Sequence, residues 1–306
     1  MITGSLVPNI TCFRANGEVD VEQTKRHMRW MFSKGVDGLF LTGSYGSGPL
    51  MSLEERVAVF QGAREVADEF SGKVLIPHVG CIDTASTVAL AKEAERIGVD
   101  AIGAVPPFYY QYEEKLIIEY YRAIVEAVQI PVFAYNNPST SRFTFNFGTV
   151  RALQEIGLAG LKDSPLSLGF ITRVYYDAKL HNKDFQIIMG TSTGWLPLYD
   201  MGIRAAIAGM NNWAPEIMTE LMRATFAGER DRAEKAYLLM LDLSAKMHFT
   251  DSTIASLMGL RVRGFDAGSV RAPMQLPPSD DPKYAQIEAW LKDGFALLDL
   301  PYTSFK

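Results

Sequence analysis

One complete strand–turn–helix unit can be read in residues 37–56, which run Asp37-Gly38-Leu39-Phe40-Leu41-Thr42-Gly43-Ser44-Tyr45-Gly46-Ser47-Gly48-Pro49-Leu50-Met51-Ser52-Leu53-Glu54-Glu55-Arg56. The run Gly38–Leu41 has no polar side chain, which is typical of a strand covered on both faces and therefore of a parallel sheet. Ser52 is followed three residues later by Glu55, and this spacing predicts a capping box at the start of a helix. The segment therefore predicts an α/β protein.

The same alternation of short apolar runs and amphipathic stretches continues along the chain. The predicted strands are Ser5–Thr11, Asp37–Thr42, Lys73–Val79, Asp100–Val105, Pro131–Tyr135, Leu158–Lys162, Phe185–Met189 and Arg204–Ala208. Between them, Val21–Met31 has a helical pattern, and Thr84–Ile97 ends before Gly98, which suits a helix C-cap. Eight strand–helix units spaced by about 20–35 residues predict a (β/α)8 TIM barrel.

Helical sequence continues after the eighth predicted barrel helix, Pro215–Phe226. The later segments are the helical stretches Glu229–His248, Asp251–Leu260 and Asp281–Leu298, and the irregular Gly- and Pro-rich stretch Arg261–Asp280. We therefore predict a catalytic barrel over residues 1–226 and a C-terminal helical extension over residues 227–306. A doubly wound open sheet is the competing fold, but the turn at 43–48 reads Gly-x-x-Gly-x-Gly, which is not the dinucleotide fingerprint.

Composition excludes several classes of protein. The chain has 306 residues, of which 48% are apolar, so a large core can form and disorder is excluded. The 30 basic residues are outnumbered by 35 acidic ones and form no cluster, which argues against a nucleic-acid partner. No apolar run reaches the roughly 18 residues that a membrane span needs. The N-terminus does not resemble a signal peptide, and Cys12 and Cys81 form no disulfide framework, so we expect a cytoplasmic protein. The four scattered histidines predict no protein-built metal site.

Lys162 carries the most chemical information, because it ends the predicted sixth strand. In a (β/α)8 barrel the active site lies at the carboxyl ends of the strands. Burial lowers the pKa of a lysine, and the neutral amine can form a Schiff base with a carbonyl substrate. Alternatively, the side chain reaches solvent or pairs with Asp163. The position alone leaves both interpretations open.

Three other segments follow predicted strands and carry polar or aromatic groups. Tyr135 ends strand five, where its phenol either relays protons or plugs the barrel mouth. The turn 43–48 offers backbone N–H groups that can bind a carboxylate, unless it is a plain strand–helix turn. Gly190–Gly194 is either an anion-binding turn or a loop without a binding role. Tyr109 belongs to the aromatic loop 106–112, which lines the pocket, meets a second subunit or packs on the protein's own surface.

Together these features resemble the dihydrodipicolinate synthase / N-acetylneuraminate lyase family of class I, Schiff-base aldolases. The resemblance spans nearly the whole chain and is carried by Gly43-Ser44-Tyr45-Gly46, Tyr135-Asn136-Asn137-Pro138 and Gly160-Leu161-Lys162-Asp163. It implies a TIM barrel that uses pyruvate or another 2-oxo acid together with an aldehyde, without a metal or organic cofactor. It also implies a homotetramer built as a dimer of dimers.

The resemblance assigns catalytic roles to three residues. Lys162 forms the imine with the 2-oxo group. Tyr135 moves protons to and from the imine and the leaving hydroxyl. Tyr109 matches an aromatic residue that the family projects into the site of a neighbouring subunit.

The resemblance also assigns a set of substrate-binding residues. Ser44 holds the substrate carboxylate together with the N–H groups of the turn, to which Tyr45 and Gly46 belong. Ser164 matches a hydroxyl that contacts the sugar chain. Gly190 and Ile207, at the ends of strands seven and eight, match positions that line the substrate channel.

Two departures from the family pattern narrow the predicted activity. The family's turn reads Gly-Thr-Thr-Gly-Glu or Gly-Ser-Thr-Gly-Glu, whereas here Tyr45 replaces the second hydroxyl residue and Ser47 replaces the glutamate. Dihydrodipicolinate synthases carry an arginine two residues after the proline of the strand-five motif, where this chain has Thr140. The segments Gly46-Ser47-Gly48-Pro49, Phe108-Tyr109-Tyr110 and Lys162-Asp163-Ser164 look more like the family's 2-keto-3-deoxy-sugar-acid aldolases, especially archaeal ones.

We therefore predict a class I aldolase, a carbon–carbon lyase, that cleaves or forms a 2-oxo-3-deoxy sugar acid with pyruvate as one product. Two enzymatic alternatives keep the lysine imine: a 2-keto-3-deoxy-acid dehydratase and a dihydrodipicolinate synthase-type condensation. A third alternative is a protein that binds a 2-oxo acid without turnover.

Overall fold

The computed structural model describes residues 1–305 and contains eight strands that form one sheet. The strands are β1 (Gly4–Val7), β2 (Gly38–Leu41), β3 (Val74–Pro77), β4 (Ile102–Ala104), β5 (Val132–Asn136), β6 (Gly160–Asp163), β7 (Gln186–Met189) and β8 (Ala205–Ile207). They pair in parallel in the order β3-β2-β1-β8-β7-β6-β5-β4. A parallel bridge between His78 and Gly103 brings the end of β3 against β4 and closes the ring. The predicted TIM barrel is confirmed.

The helices follow the strands in the expected alternation. They are α1 (Val21–Ser33), α2 (Leu53–Ala67), α3 (Thr84–Ile97), α4 (Glu114–Ala127), α5 (Pro138–Ser141), α6 (Phe147–Glu155), α7 (Leu168–His181), α8 (Trp195–Met201), α9 (Pro215–Phe226), α10 (Arg230–Lys246), α11 (Ser252–Val262) and α12 (Lys283–Leu297). The predicted capping box joins Ser52 and Glu55, and Gly98 ends α3 at a φ of +84°. Beyond the barrel, α10 packs on α9, and α12 packs on α10 and α11.

Most predicted boundaries differ from the structure by one or two residues, and the end of the first strand differs by four. The first strand ends at Val7 rather than Thr11, because Pro8 has no N–H to donate to the neighbouring strand. The second helix of the extension, α11, runs on to Val262, two residues past the predicted end. The helix α8 lies between strands seven and eight, where the eight strand–helix units require a helix but no bounds were predicted. It contains Pro197 in its first turn, where the missing N–H breaks no helical hydrogen bond, so this proline does not prevent the helix.

The strands separate two apolar layers. Side chains that point inward, such as Leu6, Phe40, Phe133 and Ile207, fill the barrel interior, while their neighbours in sequence, such as Leu39, pack under the helices. This period of two follows from the geometry of a strand. Leu161 belongs to the outer layer, so the next residue of β6, Lys162, points into the barrel.

Two further features concern the whole chain. Cys12 and Cys81 are both buried and free, so they do not pair with each other. Within residues 1–305, no helix has the length and apolar character that crossing a bilayer requires.

Candidate active site

Lys162 lies on β6 inside the barrel mouth and is almost fully buried, with 3% of its surface exposed. Its Nζ lies 3.4 Å from the centroid of the Tyr135 ring and 3.9 Å from that of Phe40. Burial lowers the pKa of this amine well below its usual value, because the charged form loses its hydration. Burial therefore favours the neutral amine, which is the nucleophilic form.

Asp163 does not pair with Lys162. Its carboxylate accepts hydrogen bonds from Asn136 Nδ2 at 2.5 Å and from the Leu166 N–H at 2.9 Å. Successive side chains of a strand point to opposite faces, so the two residues cannot share a side of β6. Both alternatives for the lysine, a path to solvent and an ion pair with Asp163, are absent from the structure.

Tyr135 occupies the paired position on the neighbouring strand, where its Cα is the register partner of Lys162. Its hydroxyl lies 3.2 Å from Asn137 Nδ2 and 3.4 Å from Ser164 Oγ. Burial raises the pKa of this phenol, and the side chains of Ser164, Ser44 and Asn137 oppose the rise. The phenol therefore holds its proton beside an amine whose charged form is disfavoured by burial, and this arrangement suits general acid–base catalysis.

The turn after β2 is strained and closely packed. Thr42 and Ser47 adopt left-handed backbone conformations, with φ of +47° and +55°, and a β-branched residue there is a genuine outlier. Gly48 permits this geometry, because a Cβ at that position would lie 1.9 Å from the Thr42 carbonyl oxygen. Such strain persists where the surroundings fix it, often at functional sites. Ser44 sits at the tip of this turn and faces the lysine.

These groups surround a small cavity, here called the lysine pocket, of about 70 Å³. Its lining residues are Pro8, Phe40, Ser44, Tyr45, Tyr135, Lys162, Gly190, Thr191 and Gly209. Five of them are residues that the sequence analysis singled out for catalysis or binding. A Cβ on Gly190 would lie 2.3 Å from Ser164 Oγ, so only glycine fits beside that hydroxyl.

The remaining predicted residues lie behind or outside this pocket. Ser164 contacts the Tyr135 hydroxyl, and the Gly46 carbonyl accepts a hydrogen bond from Thr11 Oγ1 at 2.8 Å. Ile207 packs in the barrel interior, while Gly209 two residues later supplies the β8 side of the pocket. Tyr109 is 75% exposed on the loop after β4 and does not approach the lysine of its own chain. Its assignment to a neighbouring subunit stays a prediction.

Sequence analysis missed several residues that shape the site. Phe40 lies under the lysine amine, and its inward direction follows from the alternation between Leu39 and Leu41. Asn137 was quoted only as part of the strand-five motif and was given no role, although its side chain reaches the Tyr135 hydroxyl. Nothing in the sequence indicated Gly209.

Arg56, on α2, is a further missed residue and supports the strained turn from behind. Its guanidinium is 3% exposed and donates to the backbone carbonyls of His78 and, at 3.2 Å, of Gly80. Its Nε lies 3.4 Å from Thr42 Oγ1. This one side chain thus ties the turn after β2 to the end of β3, and we treat Arg56 as a positioning residue.

We expect Arg56→Met to loosen the turn and to destabilise the fold. The substitution leaves buried carbonyls without a donor, which costs about 1–3 kcal/mol of unfolding free energy. The KM should rise more than kcat falls, because the turn to which the resemblance assigns the substrate carboxylate loses its support while Lys162 and Tyr135 remain. Denaturant unfolding and steady-state kinetics measure both effects.

Arg96→Met is the matched control for this experiment. Arg96 is exposed near the end of α3 and pairs only with Glu93, one turn away. We expect its loss to change stability by less than about 0.5 kcal/mol and to leave KM unchanged. An unchanged KM in Arg56→Met would remove the positioning role.

The described part of the chain offers no metal site built from side chains. Among residues 1–305, no group of three or more His, Cys, Asp or Glu side chains is placed to hold a metal ion.

Comparison with known proteins matches the whole barrel and most of the extension. A profile of the dihydrodipicolinate synthetase family matches residues 1–293. An uncharacterized DapA-like lyase of Halobacterium salinarum is 32% identical over 292 residues, which cover 95% of this chain and 93% of that protein. A 2-dehydro-3-deoxy-D-gluconate/2-dehydro-3-deoxy-phosphogluconate aldolase of Thermoproteus tenax is 28% identical over 298 residues, covering 95% of this chain and 90% of that protein.

The fold has close counterparts among solved structures. A prophage protein of the dihydrodipicolinic acid synthase family from E. coli K12, solved in complex with pyruvate, superposes with a TM-score of 0.88. The match covers 98% of this chain and 100% of that one at 24% sequence identity. At that identity the similarity shows a shared fold.

Proposed function

Since this chain belongs to the dihydrodipicolinate synthetase family and is a Schiff-base lyase, we propose that it cleaves or forms a 2-oxo-3-deoxy sugar acid with pyruvate as one product. The observation that carries this proposal is the buried Lys162 amine, which lies 3.4 Å from the centroid of the Tyr135 ring. Burial lowers the pKa of the amine and raises the pKa of the phenol. An amine without its proton attacks a 2-oxo group, and the phenol supplies the proton that the departing oxygen needs.

The first half of the proposed reaction forms the imine. Lys162 Nζ adds to C2 of the substrate, and the C2 oxygen leaves as water after taking one proton from the attacking amine and one from Tyr135. Ser44 and the N–H groups of its turn hold the carboxylate. The resulting protonated imine lies against the ring faces of Phe40 and Tyr135, which favour a cation at that distance.

The second half breaks the carbon–carbon bond. The Tyr135 phenolate takes the proton of the C4 hydroxyl, the C3–C4 bond breaks, and its electron pair moves through C2 to the imine nitrogen. An aldehyde leaves and an enamine remains on Lys162. Tyr135 returns the proton to C3, and water then releases pyruvate and restores the free amine. Run in reverse, the same steps join pyruvate to an aldehyde.

The cavity next to the lysine pocket favours an uncharged second reactant. A cavity of about 380 Å³ shares Ser44 with that pocket and is lined on its far side by Phe108 and Thr140. Its titratable group is His78, whose pKa is lowered by burial and by the nearby Arg56 guanidinium, so that the ring stays neutral. Arg142, the arginine nearest to position 140, does not line this cavity. A sugar aldehyde suits these walls better than a charged amino-acid aldehyde, in agreement with the named activity of the Thermoproteus tenax relative.

We further propose that the enzyme works as a homotetramer in which Tyr109 reaches a neighbouring site. This proposal is supported by the conformation of Tyr109, which is largely exposed yet held at a φ of +93°. A bulky residue seldom keeps such a conformation without a partner surface. Leu168 and Leu180 are also exposed on α7 and offer apolar contact area.

Borohydride trapping tests the proposed function directly. The protein is incubated with pyruvate and sodium borohydride, and the modified peptide is identified by mass spectrometry. We expect one reduced pyruvate adduct, on Lys162. Incubation with 2-oxo-3-deoxy sugar acids then separates the activities: pyruvate plus an aldehyde indicates the aldolase, whereas a longer oxo acid indicates a dehydratase. Folded protein that gives no adduct would contradict the Schiff-base mechanism and favour a binding protein without turnover.

The pH dependence of trapping reports the state of the lysine. Imine formation requires the free amine, so the rate should fall as pH drops through the folded-state pKa of Lys162. Because burial lowers that pKa, we expect the midpoint well below the value of about 10.4 for an unperturbed lysine. Trapping with cyanoborohydride from pH 5 to 10 measures it, with a free lysine derivative as the reference. A midpoint near that of the reference would show that Lys162 is charged in the folded protein.

A further inference from the structure

Another cavity, distinct from the one lined by Phe108 and Thr140, lies behind one wall of the lysine pocket. This cavity, here called the outer chamber, has a volume of about 220 Å³ and lies between the loop after β7, the loop after β8 and the helices α10 and α11. Ser244 and Ser256 lie on its helical side, and Thr191 and Gly209 belong to both cavities. The chamber is therefore built partly from the C-terminal extension.

Tyr45 is the large side chain that stands between the two cavities, since it lines both of them. Its hydroxyl extends over Gly209, where an added Cβ would lie 2.3 Å from that oxygen. Ser252, the first residue of α11, interacts with the same hydroxyl. The glycine thus leaves room for the ring and the extension fixes its far end, so Tyr45 has one well-defined position.

The chamber walls carry hydroxyl groups with spare hydrogen-bonding capacity. Ser192 Oγ and Ser244 Oγ both point at the Met240 sulfur, at 3.1 Å and 3.6 Å. A thioether is a weak acceptor, so these hydroxyls lose little by turning to another partner. A hydroxylated carbon chain would find donors and acceptors there if it could enter.

We propose that Tyr45 is a specificity-determining residue, which closes the outer chamber to the substrate and leaves only the cavity lined by Phe108 and Thr140 for the aldehyde end of the substrate. This inference rests on the proposed aldolase function. A phenol ring at position 45 fills the passage that leads from the lysine to the hydroxyl-lined chamber. A small side chain there joins the two cavities and admits a longer polyhydroxylated chain.

A chain-length series measures this restriction. The protein is assayed for condensation of pyruvate with glycolaldehyde, glyceraldehyde or erythrose, and kcat/KM is determined for each aldehyde. We expect the ratio of kcat/KM for erythrose to kcat/KM for glycolaldehyde to rise at least about tenfold in Tyr45→Thr. Each additional carbon that a pocket accommodates changes kcat/KM by a factor of about 10–200. A ring-preserving variant, Tyr45→Phe, should keep the wild-type ratio.

A compensating substitution distinguishes an opened chamber from a loosened active site. Ala255 lies on the chamber wall, so Ala255→Leu combined with Tyr45→Thr should refill the space and return the ratio toward the wild-type value. Ala255→Leu alone should leave the ratio unchanged. If Tyr45→Thr fails to fold, Tyr45→Leu gives the same comparison, since leucine removes the far half of the ring while staying apolar.

The outcomes separate the two proposals. A wild-type protein that traps no pyruvate on Lys162 contradicts the proposed function. Variants that trap pyruvate normally but keep the wild-type ratio contradict the role of Tyr45. A raised ratio that Ala255→Leu does not reverse would also overturn it, because the gain would then come from somewhere other than the chamber.

Discussion

Replacement of Lys162 by methionine should abolish pyruvate trapping and reduce lyase activity by about 10⁴-fold or more, because the covalent route is lost with its nucleophile. Methionine has a similar length and fits the contacts with Phe40 and Tyr135. No adduct should appear at any other residue. A reduced adduct that persists in Lys162→Met would show that another lysine forms the imine.

The same substitution should make the folded protein more stable. A buried amine without a strong partner costs about 1–3 kcal/mol relative to an apolar side chain, and methionine removes this cost. The gain should depend on pH. The pKa of Lys162 is lowered in the folded state, so the unfolded chain binds more protons and the wild-type protein gains stability as pH rises toward about 10.4. The advantage of Lys162→Met should therefore be larger at pH 7 than at pH 10.

Lys115→Met is the matched control for both measurements. Lys115 is exposed on α4. Its loss should leave the pyruvate adduct on Lys162 in place and should change the free energy of unfolding by less than about 0.5 kcal/mol. Equal stability of Lys162→Met and wild-type protein at pH 7 would show that the buried lysine carries no desolvation cost.

The barrel could be predicted because its signals are local. Eight apolar runs, the Ser52–Glu55 capping box and Gly98 each act over a few residues, and the structure contains the corresponding strands, helix start and helix end. The errors arose where one residue decides a boundary. Pro8 ends β1 early because it lacks a donor, and Pro197 is tolerated because it falls in the first turn of α8.

The candidate site was predictable only in part, because its residues come from six different strand ends. Lys162 and Tyr135 stand out by residue type at a strand end. The contact between Arg56 and Thr42 joins residues 14 positions apart, and it depends on which face of α2 points inward. The contact between Tyr45 and the extension joins residues more than 200 positions apart. Only the folded barrel brings such pairs together.

Replacement of Tyr135 by phenylalanine should lower kcat by about 10²–10⁴-fold, the usual contribution of a positioned acid–base group. The ring remains, so its contacts with the Lys162 amine and its edge-on packing against Phe40 at 5.6 Å are kept. Only the hydroxyl that lies near Asn137 and Ser164 is lost. Pyruvate should still be trapped on Lys162, but more slowly, and KM should change little because the hydroxyl acts mainly in the transition state.

Tyr121→Phe is the control that separates catalysis from packing. Tyr121 is fully buried in the outer apolar layer, and its hydroxyl donates to the Ala104 carbonyl at 2.7 Å. Its loss should cost about 1 kcal/mol of stability without lowering kcat. In Tyr135→Phe the opposite pattern is expected, with a large fall in kcat and a small change in stability, because the hydroxyl lies in a pocket that admits water. If both variants lost activity only in proportion to stability, Tyr135 would have no role in proton transfer, and the proton would have to come from Ser44, Tyr45 or water within the same pocket.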